Sequence, residues 1–264
     1  MNILKYECKK SIVSSLTWAI SLTFFGFICI QLYIAFSANV TFFETMLKAY
    51  SPEMLKVLGA NITIIKTLTG FYSFCFMYVV VAAAFQALYL GIHVLGKELS
   101  EKTADFIFTK PCSRKRVLTY KLGAMLLCLI LVNVIYCGGT LLSAYLTGIE
   151  FNLTLFLFMN LSMFLTQILF LSLGFLLACS MHKIKSPLSI SAGIIAFFFL
   201  LQMIVNLEPE GILSYFSFLN YLSADAIITN NGFDYMKLGL LCCISIGCII
   251  AGYYIFEHRD IQSV

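Results

Sequence analysis

Charge is scarce in this sequence. Only 11% of its 264 residues are Asp, Glu, Lys or Arg, while 61% are hydrophobic. The mean hydropathy is +0.94. Soluble domains average about 25% charged and about 45–50% apolar residues, so a soluble globular chain is excluded. Proline is rarer still, with four in the whole chain. The ten cysteines form no CxxC, and no Cys/His group has zinc-ligand spacing, which removes the small metal modules. No GxxxxGK[ST] is present, so this chain carries no P-loop of its own. The net charge of +4 is small and does not point to nucleic acid. No internal repeat or low-complexity tract is visible.

What the chain does have is long uncharged runs. No Asp, Glu, Lys or Arg falls between Lys10 and Glu44, Lys66 and Lys97, Lys121 and Glu150, Glu150 and Lys183, Lys185 and Glu208, or Lys237 and Glu257. A helical span needs roughly 20 apolar residues, and a charge at its centre costs about 2.5–3.5 kcal/mol. The runs predict six spans, near Leu16–Phe36, Thr67–Leu95, Leu122–Thr147, Thr154–Ser180, Pro187–Asn206 and Leu238–Phe256. The expected fold is all-α: a polytopic membrane protein whose residues 1–264 form a single transmembrane domain.

Six spans place both termini on one side. That side holds thirteen Lys and Arg residues, the other only Lys48, Lys56, Lys66 and Lys237. The positive-inside rule assigns the richer side, with both termini, to the cytoplasm. No small-residue cleavage site follows the first hydrophobic run, so that run is expected to be retained as a span.

Three further elements are predicted. Residues 1–15 mix Lys5, Glu7, Lys9 and Lys10 with Ile3, Leu4, Tyr6, Ile12 and Val13, which suits a short interfacial helix. Ser51-Pro52-Glu53 reads as a helix start in the first outer loop, with Gly59 as its stop. The last outer segment, 207–236, has an apolar middle too short to cross and return, bounded by Pro209 and Gly211 and by the Asn230-Asn231-Gly232 turn. A re-entrant or interfacial hairpin fits it. Small residues at four-residue spacing (Ala83, Ala87 and Gly91; Gly139 and Ser143; Gly174 and Ala178; Ser189 and Gly193; Gly247 and Ala251) mark faces where helices can approach closely.

The charged island Lys97–Lys121 carries seven of the seventeen basic residues between two long apolar runs. From Glu98 to Lys110 it reads as an amphipathic helix, with Leu99, Thr103, Phe106 and Ile107 on one side and Glu98, Glu101, Lys102 and Asp105 towards the other. Pro111 ends that helix, and Ser113 can cap the next, which Arg114, Lys115 and Arg116 lead into the third span. Such a unit can serve as a docking surface. The plainer reading is a basic loop that only fixes topology.

Glu98, Glu101, Thr103, Ala104, Asp105, Phe106, Pro111, Ser113, Arg114 and Lys121 together resemble the inner-loop motif of permease subunits of type-2 ATP-binding-cassette transporters, notably the small bacterial six-span kind. Lys102 stands where family members often have Gly, and Phe218 where a Pro is frequent. The Ser51–Gly59 helix is similar to the family's first outer loop, and Tyr215–Leu222 to its late outer element. The resemblance implies a cytoplasmic coupling helix over Glu98–Pro111, with Ser113 and Arg114, docking on a separate ATPase subunit. It also implies that ATP and Mg sit on that partner, that this chain holds no cofactor, and that two permease copies pair in a cell inner (plasma) membrane. Export is the family habit.

Two other classes compete. A carrier or pump would hold ionisable residues at membrane depth, and His93 alone is a candidate in the second span. An intramembrane enzyme needs a nucleophile and base or a metal set. The three histidines, His93, His182 and His258, have no carboxylate pair at helical spacing. A non-transporting scaffold or regulatory subunit is the alternative that the sequence leaves open. The polar residues inside spans (Gln31, Gln86, His93, Asn133, Asn160, Gln167 and Gln202) are expected to find interhelical hydrogen bonds. The cargo expected from the Phe-, Leu- and Ile-rich spans is amphipathic or hydrophobic, such as a peptide.

Overall fold

Apolar runs without proline leave the backbone one economical state in a bilayer, the helix, because every internal N–H and C=O must be satisfied within the segment. The computed structural model describes residues 3–37, 45, 49–60, 65–100, 114–181, 184–208 and 211–258. Its helices are α1 (Ile3–Ser37), α2 (Pro52–Val57), α3 (Leu68–Ser100), α4 (Arg114–Leu146), α5 (Leu153–Ser180), α6 (Pro187–Val205), α7 (Ala224–Asn230) and α8 (Tyr235–Glu257), and no strand occurs among the described residues. Six of them, α1, α3, α4, α5, α6 and α8, are long and apolar enough to cross a membrane. The six predicted spans are therefore present, in order.

Local chemistry sets several ends. Pro187 opens α6 behind a Ser186 cap, Asn152 caps α5 through the Leu155 amide (3.2 Å), and Asp234 caps α8 through the Met236 and Lys237 amides. The Ser51 hydroxyl caps α2 by accepting from Met54 N, and Gly59 ends that element with φ +77°. Both features were legible in the sequence. Asn231 closes α7 in the left-handed conformation, at the anticipated Asn-Asn-Gly turn.

The N-terminal stretch differs from expectation. Residues 3–15 are not a separate short helix but the first part of α1, which runs unbroken for 35 residues. Nothing between Ile3 and Phe25 is Pro or Gly, so no residue there interrupts the hydrogen-bond ladder. At 1.5 Å per residue α1, α3 and α4 each reach about 50 Å, well beyond the ~30 Å of a hydrocarbon core.

The helices are level at the end away from both termini. There Tyr33 donates to the Lys66 carbonyl, and the Asn152 amide meets Thr69 Oγ1. The extra turns of α1, α3 and α4 therefore extend at the end that carries the termini.

Helices α3 and α5 form the centre: 61% of the apolar segment of each is buried, against 28% for α1, 33% for α4, 22% for α6 and 17% for α8. Their contact is close because both supply glycine. A Cβ on Gly174 would lie 2.5 Å from the Leu88 carbonyl oxygen, and one on Gly91 would lie 2.8 Å from that of Leu171. Ala83, Ala87 and Ala178 complete this seam, fully buried. The α1–α4 pair uses the same device twice, Gly26 facing Thr140 and Gly139 facing Thr23. In contrast, Gly193 on α6 and Gly247 on α8 have open space in front of them.

The predicted hairpin region folds as two short 3-10 turns, Ile212–Tyr215 and Phe218–Asn220, followed by α7. It is pinned by the Tyr221 hydroxyl donating to the Tyr215 carbonyl, and burial pushes that phenol above its ordinary pKa. Phe218 stacks on Phe198 of α6 at 4.8 Å between ring centroids. An aromatic contact thus holds the segment at the position where a Pro bend is common in the resembling family.

Candidate functional site

The predicted docking motif begins and ends on described helix. Glu98 belongs to the last turn of α3 and Arg114 to the first of α4, whereas Glu101, Lys102, Thr103, Asp105, Phe106, Pro111 and Ser113 lie outside the described residues. The island from Lys97 to Lys121 is thus shorter as a connection than its charge pattern implied. Residues 97–100 continue α3, and residues 114–121 are the first two turns of α4.

What the structure adds is the way these two helices are held. Lys121, expected on the water-facing island, is buried at 2% exposure. Its ammonium lies 2.9 Å from Glu7 Oε1 of α1 and donates to the Val94 carbonyl of α3 at 3.4 Å. Glu7 is equally enclosed, at 3% exposure. One lysine, two turns into α4, therefore ties α1 and α3 together. A desolvated pair of this kind adds little net stability, but breaking it by removing one partner costs about 3–5 kcal/mol, because the remaining charge is stranded.

Helix α8 is joined to the same base on its outer face. Lys115 pairs with Glu257 at 3.0 Å, both side chains being largely exposed, and the Thr119 and Tyr253 hydroxyls are 2.8 Å apart. The ion pair is solvent-screened and worth at most about 1 kcal/mol. Arg116 lies against Tyr120 in the same turns.

Towards the middle of the bundle a run of carboxamides crosses three helices. Asn133 of α4 donates to Gln167 of α5, and Gln167 Nε2 donates to Gln86 Oε1 of α3 at 3.1 Å and to the Ala83 carbonyl at 3.4 Å. The Tyr72 and Tyr136 hydroxyls, 2.6 Å apart and fully enclosed, join α3 to α4 further along. Three of the seven polar span residues thus find the interhelical partners expected of them.

The remaining four are placed as follows. Gln31 faces outward, and His93 stacks on Tyr89 of its own helix at 5.2 Å. Asn160 donates to the Phe156 carbonyl one turn back, while Asn160 Oδ1 and Gln202 Oε1 are buried without a hydrogen-bond partner. The tyrosine pair escaped the sequence reading because tyrosine counts as apolar in a hydropathy run. Glu7–Lys121 escaped it because the two residues are 114 positions apart. The only hint in the sequence is that Glu7 is the sole acid among Lys5, Lys9 and Lys10.

Among the described residues no group of three or more His, Cys, Asp and Glu could hold a metal. The geometry is that of a helical membrane unit whose longest helices are cross-tied at one end. No curated protein matches the chain. The family model described as ABC-2 family transporter protein matches residues 1–261, nearly the whole length. With six apolar helices in the expected order and this match, the chain belongs to the ABC-2 transporter family as a permease-type, multi-pass membrane subunit.

Proposed function

We propose that this chain is the passive wall of an ATP-driven exporter, moved by a separate cytoplasmic ATP-binding-cassette ATPase that docks on Glu98–Pro111, Ser113 and Arg114. The observation that carries this reading is the buried tie at the foot of that segment. Because Lys121 links α4 to Glu7 of α1 and to the backbone of α3, a push on the connection displaces three helices as one body. ATP and Mg would sit on the partner. The excess of basic residues at the terminus-bearing end supports placing that end, with both termini, in the cytoplasm of a plasma-membrane protein.

A second copy of this chain is the expected companion. Helix α6 supports it with an exposed face containing Ser189, Ala192, Gly193 and Ala196, where small side chains permit close helix approach. The cargo class is an amphipathic or hydrophobic molecule such as a peptide, consistent with the apolar surfaces of α6 and α8.

The test is charge reversal at Glu101 and Asp105 in cells that co-express the cognate ATPase. The variant is expected to lose copurification with the ATPase and cargo-stimulated hydrolysis, while still inserting in the membrane. Unchanged association and transport would refute the docking assignment. Association without any cargo-stimulated hydrolysis in the unaltered protein would favour a scaffold or regulatory subunit.

A further inference from the structure

The end of the bundle opposite the termini holds a cavity of about 670 Å³, formed where α2, α3, α6, α7 and the start of α8 converge. That volume is in the usual range for small-molecule sites, about 300–1,000 Å³. Its floor is apolar, with Phe76, Met77, Val80 and Leu219. Its upper wall is polar. Lys56, exposed on α2, and half-buried Lys237 on α8 both line it, and neither makes an ion pair among the described residues.

The charge count makes this placement informative. The segments at this end carry seven acids (Glu44, Glu53, Glu150, Glu208, Glu210, Asp225 and Asp234) and only four lysines. Five of those acids and three of those lysines are among the described residues, and of these two lysines but only one acid, Asp225, line the cavity; Asp225 already takes part in another interaction. The described lining of the cavity is therefore net positive, although the segments at this end are net negative. A cation pair above a low-dielectric floor concentrates positive potential where a ligand would sit.

An enclosed, unsatisfied acceptor belongs to the wall of the cavity. Gln202 lines it at 3% exposure, and its Oε1 has no hydrogen-bond partner. A buried acceptor without a donor is destabilising, and a hydroxyl or ammonium of a ligand would relieve that cost. The wall is held in place independently of any occupant. Asn206 Nδ2 donates to the Val57 carbonyl at 3.2 Å, fastening α2 to α6, and Gly59 lets the chain turn closely over Met77.

Depth favours one source of ligand. Gln202 lies three residues before the end of α6, and Phe76 and Val80 lie eight and twelve residues into α3. At 1.5 Å per residue this places the site about 5–18 Å below the helix ends, across the boundary of headgroups and acyl chains.

From these observations we propose that the cavity is a binding site for an amphiphile whose head carries a phosphate and a hydroxyl donor. The phosphate lies between Lys56 and Lys237, the hydroxyl meets Gln202 Oε1, and the apolar part rests on Phe76, Met77 and Val80. The site is separate from the ATPase-docking segment at the other end and does not depend on it.

The test uses the purified full chain in neutral detergent, titrated with short-chain dihexanoyl phosphatidylglycerol, dihexanoyl phosphatidylcholine and glycerol 1-phosphate, with binding read by native mass spectrometry and by the shift in unfolding temperature. Saturable one-to-one binding of the phosphatidylglycerol is expected, at least tenfold tighter than of the phosphatidylcholine. The K56Q/K237Q double variant should weaken it tenfold or more, Q202M should weaken it severalfold, and K185Q, at the opposite end, should leave it unchanged. Glycerol 1-phosphate binding as tightly as the lipid would keep the head chemistry but assign a soluble source. Equal binding of both lipids, or an unaltered affinity in a folded K56Q/K237Q variant, would overturn the proposal. Should the double variant not fold, A226W, which fills the cavity from α7, must abolish binding, and retained affinity there overturns it equally.

Discussion

The two ends of this bundle treat polar groups in opposite ways. At the end with the termini, a carboxylate and an ammonium are taken out of water entirely and given to each other, Glu7 to Lys121, with Val94 supplying a further acceptor. At the other end, Lys56, Lys237 and Gln202 surround an open space and have no such partner among the described residues. Groups satisfied within the chain lock helices into a unit that can carry a displacement. Groups left unsatisfied around a cavity are available to something from outside. The first arrangement suits transmission of force, the second recognition.

The comparison can be broken most sharply at the buried pair. Lys121→Met leaves the Glu7 carboxylate enclosed without its counter-charge and is expected to cost about 3–5 kcal/mol. It should be seen as a large drop in unfolding temperature and in yield of detergent-stable protein. The Glu7→Leu/Lys121→Met double variant should regain most of that stability, because well-packed apolar residues replace such pairs at little net cost. A double variant as unstable as the single one would mean that the charges do more than offset each other.

A smaller effect is expected at the central seam. Gly174→Val places a side chain against the Leu88 carbonyl, a backbone atom that cannot swing aside, and overpacking of this kind costs about 1–3 kcal/mol. The equivalent change at Gly193, which faces open space, should leave the unfolding temperature of a single chain nearly unaltered. The same substitution would interfere with a second copy seated on α6, so its effect on oligomeric state sharpens that proposal.

Next is Gln167→Leu, which removes the middle of the carboxamide run between Asn133 and Gln86 and is expected to cost about 0.6–2 kcal/mol, read from thermal unfolding. The smallest change is Asn206→Ala, at about 0.5–1.5 kcal/mol. Its signature is local: faster amide exchange in α2, which loses the bond from Asn206 to Val57, with little change at Glu7 and Lys121. Exchange that rises equally at both ends would show that they are not independent.

Much of this architecture was legible before any coordinates. The starts of α2, α6 and α7's closing turn were marked by Ser51-Pro52, Pro187 and Asn231-Gly232, where backbone conformation follows from a few adjacent residues. Helix lengths were less legible. Hydropathy put the start of the third span at Leu122, and it was the Ser113 cap signal that put the helix start at Arg114, where α4 begins. Apolar composition marks where lipid is tolerable, while helical hydrogen bonding continues into polar sequence until something interrupts it. The same reasoning explains α1, whose charged first turns looked like a separate element but contain no residue that breaks a helix. The proposed docking segment rests on the sequence motif alone, and the tie between α1, α3 and α4 was invisible in the sequence because its members come from three helices.

The number, order and approximate limits of the spans follow from composition alone, since each span satisfies its own backbone and its cost of insertion is a sum over its own residues. Which faces meet was settled only in three dimensions. Lipid is as apolar as Leu or Phe, so burial gives no instruction about neighbours. Fit and polar pairing decide instead: Gly174 against Leu88, Gln167 between two helices, Lys121 upon Glu7.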